Sequence, residues 1–315
     1  MIFKRRGLKI DTGWYSRSLL YILLIKLIFF CSLGIARAEE DKNETEETNA
    51  KDGALDFSVS VMGDFAANIK GGVRKSGTYM GMVDLFAWFD TGKAGLWKGG
   101  QFFLHGLNTH GGLATQDLIG DIQVCSNIEA GDYTGLFEYY FKQQLGSFSF
   151  LVGQHDLNSE FVVVENGGNF INSSFGIPAS ISLNFPAPIF PMASMAIVTA
   201  WSPSPDFTLV AGVYDGDPGD FKSNEYGINN KIDIKNEGYL SIGEAQYHFI
   251  DTDGNVTGSY KVGAYYHSAT CIDLTKTDVE IAGKSGFFFV MDQNLITNGP
   301  SKQDGLKMFS QIGWG

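Results

Sequence analysis

The residues of this chain with usable chemistry are carboxylates, carboxamides, a lysine, a histidine and tyrosines, most of them set on alternating segments. In 136–143, Glu138, Tyr140 and Lys142 share one face, with Phe137, Tyr139 and Phe141 on the other. In 238–249, Glu244, Gln246 and His248 oppose Ala245, Tyr247 and Phe249. In 260–267, Lys261, Gly263, Tyr265 and His267 alternate with Tyr260, Val262, Ala264 and Tyr266. Gln123, Asn127 and Glu129 form a further polar group, and Gln154, Asp156, Asn158, Glu160 and Asn172 fall in or beside a long irregular segment. This inventory suits reversible hydrogen-bond exchange and ring stacking on the faces of Tyr140 and Tyr265, not covalent chemistry. Each residue also has a plain structural reading, as a partner for neighbouring backbone or as paired charge.

Enzyme patterns fail one by one. Ser173-Ser174 has no Gly-x-Ser-x-Gly context. Gly111-Gly112 lacks the Lys-Ser/Thr of a phosphate loop. No spacing sets two acids across a cleft as a glycosidase needs. Asp251-Thr-Asp-Gly-Asn255 is a fragment of a calcium loop without its distal Glu, and reads as a hairpin turn. No cofactor and no metal are expected.

The elements that must position these residues are strands. Candidate strands lie near 56–67, 79–90, 100–109, 134–144, 147–154, 192–201, 206–214, 238–249, 258–268, 285–294 and 306–314. About ten residues at ~3.3 Å per residue, tilted, cross an apolar band of ~25 Å. Tyr214–Asp220 and Asp251–Asn255 are turn signals. The segment 155–191, with Pro178, Pro186, Pro188 and Pro191, is a long connection able to fold into a lumen. Periodicity alone leaves a soluble sandwich and a membrane barrel both open. Composition favours the barrel. Glycine is 39 of 315 residues, above the usual ~7%, and charged residues are 18%, below the usual ~25%. No segment after residue 38 is apolar enough for a helical span.

Residues 1–38 read as a cleavable export signal: a basic start, the apolar run Leu19–Ile35 and Ala36-Arg-Ala38 at the cleavage point. Residues 39–54 read as an acidic flexible tail, and 55–315 as one barrel domain. The chain carries −12 overall. The first 38 residues hold seven Lys/Arg and one Asp, so the remainder carries −18. That excludes nucleic acid as a partner and is compatible with neutral or cationic solutes. Cys125 and Cys271 would meet an oxidising compartment, and both a disulfide and two separate thiols stay open.

The blocks Asp90–Gly112, Gly120–Ala130, Gly153-Gln-His-Asp-Leu-Asn-Ser-Glu-Phe161, Phe170–Pro178, Val213–Pro218, Tyr260–His267 and Asp292-Gln293, in this order, resemble the OprB-type family of carbohydrate-selective porins from about Leu55 onward. The resemblance implies an all-β, antiparallel transmembrane barrel in a bacterial outer membrane. It implies passive diffusion of glucose-like mono- and small oligosaccharides, with the polar residues above as pore liners. Partners would be small sugars and outer-membrane lipid, with a homotrimer or a monomer as the assembly. The family pattern continues past Ile312-Gly-Trp-Gly315 with further strands, so a C-terminally truncated barrel is expected. The alternatives are a general or non-conducting barrel, a binding protein, or a porin fragment without function.

Overall fold

The computed structural model describes residues 53–273, 276–298 and 304–315, and side chains within these except at 271–280 and 298–304. The expected signal and almost all of the acidic tail lie outside the described residues, as does the Cys271 side chain. Eleven strands form one antiparallel sheet in sequence order. They are β1 (Leu55–Asn68), β2 (Ser76–Asp90), β3 (Gly100–Gly111), β4 (Tyr133–Leu145), β5 (Phe148–His155), β6 (Ser194–Ser204), β7 (Phe207–Asp215), β8 (Tyr239–Ile250), β9 (Val256–Asp273), β10 (Lys276–Asn298) and β11 (Asp304–Trp314). Among the described residues β1 and β11 are the sheet edges. All eleven expected strands are present. The β9–β10 hairpin reaches further than its alternation suggests, because 269–284 is rich in β-branched residues that extend the pairing.

The two ends of the sheet differ. Residues 146–147, 205–206 and 251–255 make short turns at one end. At the other, 112–132, 156–193 and 216–238 make long connections. Gly146, at φ +61, takes the positive dihedral that the two-residue β4–β5 hairpin needs. Tyr214–Asp220 does not close a tight turn; it opens the long 216–238 connection.

The two faces differ as well. One face carries Phe57, Val59, Val61, Phe102, Leu104, Phe150, Val152, Ile197, Val213, Val262, Phe287 and Ile312, all exposed. At its short-turn end, rings cluster in belts: Trp97 and Phe102 around Phe141, Phe148 on Trp201, and Phe249 between Tyr247 and Tyr260. An apolar band rimmed by aromatic rings is the surface that lipid and its headgroup boundary favour. On the opposite, inner face lies the folded segment 156–193. Its Leu157, Phe161, Val162, Ile181 and Phe185 pack on Leu151, Val198, Val210, Tyr214, Leu240, Ile242, Tyr265, Phe288 and Val290. These side chains make the core.

Strand phase breaks once in β4. His105 pairs with Glu138, but Gly106 pairs with Leu136, so Phe137 is the extra residue of a bulge. Phe137 and Glu138 are both buried, where strict alternation sets them on opposite faces. The Leu136 N–H, released from the ladder, donates instead to the Tyr226 carbonyl of 216–238 (2.8 Å).

Candidate functional site

The inner-face polar side chains hold the 156–193 segment by its backbone. The Glu138 carboxylate accepts from Asp156 N–H (2.9 Å). The Glu244 carboxylate accepts from Val162 N–H (2.8 Å) and from the Gln246 amide (2.8 Å). Lys261, 4% exposed, donates through Nζ to the Val163 carbonyl (2.7 Å). Asp292 accepts from Glu165 N–H (3.2 Å) and Asn166 N–H (2.9 Å). Tyr265 donates to the Ser180 carbonyl and accepts from Asn184 (3.1 Å). His267 Nε2 bonds the Gly216 carbonyl (2.7 Å), and its ring stacks on Phe185 at 5.1 Å. Charge-assisted bonds to buried backbone are among the stronger protein hydrogen bonds. They meet at a strained point. Val162 is fully buried at φ +59, a conformation β-branched residues avoid. Asn158 braces the same turn, its amide donating to the Phe161 carbonyl (3.1 Å).

A second polar group joins two loops. Glu129 accepts from Thr115 N–H and Oγ1 (2.9 and 2.8 Å) and from the Cys125 thiol (3.4 Å). Burial, with the Glu129 carboxylate beside it, pushes the Cys125 thiol above its ordinary pKa. Asn127 donates to the Phe170 carbonyl (2.9 Å) and Gln123 to the Ile177 carbonyl (3.3 Å). Asn172 caps its own turn by accepting from Ser174 N–H (2.9 Å).

The expected liners therefore divide. Glu138, Asp156, Asn158, Glu160, Glu244, Gln246, Lys261, Tyr265 and His267 come together around the infolded segment. Gln123, Asn127, Glu129 and Asn172 come together where 112–132 meets it. Gln154 is elsewhere: its register with Tyr139 sets it on the outer-face phase, where it bonds the Leu136 and Phe137 carbonyls (3.0 and 2.8 Å) and Asn230. Gly-Gln-His offers no apolar residue by which sequence fixes the phase.

Tyr140, the remaining expected liner, belongs to an inner-face row whose other members were not expected from the sequence. Trp88, Phe103 and Tyr140 are cross-strand neighbours on β2, β3 and β4, with centroids 5.6 and 4.8 Å apart, all half-buried. Gly153 stands opposite Tyr140, and a Cβ there would fall 2.5 Å from the Tyr140 Cα. Beside this row, Lys142 pairs with Glu160 of the infolded segment (2.8 Å), and each side chain is about one-third exposed. The row was hidden because Leu85-Phe-Ala-Trp-Phe89 is apolar on both phases.

A meandering sheet, apolar and belted outside, polar and aromatic inside, with a long loop folded onto its inner face, defines a porin-type β-barrel wall. The family model for the carbohydrate-selective porins of the OprB family matches residues 74–315. The chain belongs to that family. Among solved structures it is similar to Pseudomonas putida OprB. The high-pH structure aligns with a TM-score of 0.71 at 21% identity, over 82% of this chain and 66% of that one. The low-pH structure aligns with a TM-score of 0.50 at 16% identity over the same shares. The chain thus spans just under two thirds of those chains' length. No curated protein sequence matches it.

Proposed function

We propose that this chain forms the wall of an outer-membrane channel, not an enzyme, through which glucose-like mono- and small oligosaccharides diffuse passively into the periplasm. The observation that carries the reading is the half-buried inner row Trp88–Phe103–Tyr140 beside the part-exposed Lys142–Glu160 pair. A pyranose has an apolar C–H face and a rim of hydroxyls. Rings take the face, and an ion pair with both donors and acceptors takes the rim. Transport needs weak binding. A Kd near ~1 mM with an on-rate of ~10⁷ M⁻¹s⁻¹ gives an off-rate on the order of 10⁴ s⁻¹. Each hydrogen bond exchanged with water contributes only ~0.5–1.5 kcal/mol, which keeps the solute in that regime. The −18 charge after residue 38 supports neutral over anionic solutes. Residues 1–38 act as the export signal, the outer membrane is the site of action, and lipid meets the belted face.

The test is planar-bilayer conductance of the chain from residue 39, with glucose, maltose and an amino acid titrated in turn. Discrete steps blocked by the sugars and not by the amino acid are expected. Steps indifferent to sugar overturn the selectivity, and absence of steps overturns the channel.

A further inference from the structure

At the short-turn end of the inner face, a cavity of about 300 Å³ lies between the infolded segment and β9–β11. Glu165 and Asn166 approach it from the segment, and Ser259, Asp292, Asn294 and Lys307 from the wall. None of these residues is among the sugar contacts expected from the sequence.

The lining mixes donors and acceptors in one place. A carboxamide supplies both, an ammonium three donors, and a carboxylate about four acceptor positions. Asp292 uses part of its capacity on the Glu165 and Asn166 N–H groups, and keeps the rest for the cavity. Ser259 is 1% exposed, and its Oγ has no hydrogen-bond partner among the described residues. His248, its cross-strand neighbour, leaves Nδ1 unpartnered in the same way. Folded proteins pair nearly all such buried atoms, so the orphan hydroxyl of Ser259 in the lining of a polar cavity marks a place where a ligand supplies the missing partner. The volume is at the lower limit of small-molecule pockets, ~300–1,000 Å³. Asp292 and Glu165 disfavour an anion. Lys307 disfavours a metal, and no group of three metal-ligating side chains occurs among the described residues.

We propose that this cavity binds one neutral monosaccharide, a hexopyranose held by its hydroxyls, as a subsite separate from the Trp88 row. The proposal rests on the sugar-channel reading. Because Asp292 both seats the infolded segment and lines the cavity, bound sugar and seated loop share one carboxylate.

The test is equilibrium dialysis of ¹⁴C-labelled D-glucose against the full folded chain in detergent, with Ser259→Ala and Lys307→Met, and glucose flux of the same proteins in liposomes. Ser259→Ala removes an orphan hydroxyl, so its thermal midpoint should hold or rise while its glucose Kd weakens about three- to tenfold. Lys307→Met should weaken it similarly. Unchanged Kd in both variants, with glucose flux intact in the parent chain, overturns the subsite and leaves the channel standing. A lowered midpoint with unchanged Kd means that Ser259 and His248 serve only each other, and also overturns it. Absence of both flux and binding in the parent overturns the channel reading itself.

Discussion

Glu244→Ala should unlatch the infolded segment. The carboxylate is the acceptor for Val162 N–H, and Val162 has no exposed surface through which water could replace it. A buried N–H left unpaired costs ~1–3 kcal/mol. The positive φ of Val162 already stores a comparable ~1–3 kcal/mol, held in place by that bond. The Lys261 and Asp292 anchors remain, so the loss should fall near ~3 kcal/mol and not in the sum of every term. At ~1.4 kcal/mol per tenfold, the unseated population rises about 100-fold. Glu244→Gln keeps an oxygen in place but removes the charge, and should cost ~1 kcal/mol, about fivefold. The assay is chymotryptic cleavage at Phe161, which has no exposed surface when the segment is seated, in the full chain in detergent. When reclosing is fast, cleavage tracks the open population. Expected rates rank alanine far above glutamine, and glutamine above the parent, with heat-modifiable gel migration retained in all three. Equal rates across the series would refute the latch.

Three further outcomes follow from the same geometry. Trp88→Ala should weaken sugar block of the conductance about two- to twelvefold, as the loss of ~0.5–1.5 kcal/mol of ring contact requires, with the ion current undiminished; unchanged block removes the row from the permeation path. Gly153→Ala should lower the unfolding midpoint in denaturant, because its φ of +144 is closed to alanine and a Cβ would lie 2.3 Å from the Tyr139 carbonyl, a cost of at least ~1–3 kcal/mol. Cys125 should react with a maleimide more slowly at pH 7.5 than an open thiol, with half-maximal rate above the ordinary thiol pH range, since a raised pKa leaves less thiolate; read by mass spectrometry on its own peptide, a half-maximum at or below that range contradicts the burial argument.

The strands were legible because an apolar outer face and a polar inner face impose a period of two, and 238–249 and 260–267 show it cleanly. The bulge at Phe137 was not, since an inserted residue shifts phase without altering composition. Trp88 and Phe103 escaped notice for the reverse reason: apolar residues on both phases carry no phase signal. The polar face was visible, but its use was not. Glu244 and Lys261 look like solute contacts in sequence, while their partners include backbone groups about 80 to 100 residues away that sequence does not label.

That separation has a bearing on how the protein assembles. Every strand pairs with its sequence neighbours, so the wall can grow hairpin by hairpin through short loop closures. The infolded segment emerges between β5 and β6, where Glu138 and Lys142 of β4 already hold Asp156 and Glu160, yet the anchors of Val162, Val163 and Asn166 sit on β8, β9 and β10. The stretch from Val162 to Asn166 has no such anchor until those later strands exist. Construction must therefore run wall first and plug last, and while it waits Leu157, Phe161 and Ile181 are uncovered. A chaperone that shields apolar segments would find its clearest target in this one stretch of chain, and only for the interval before β10 is laid down.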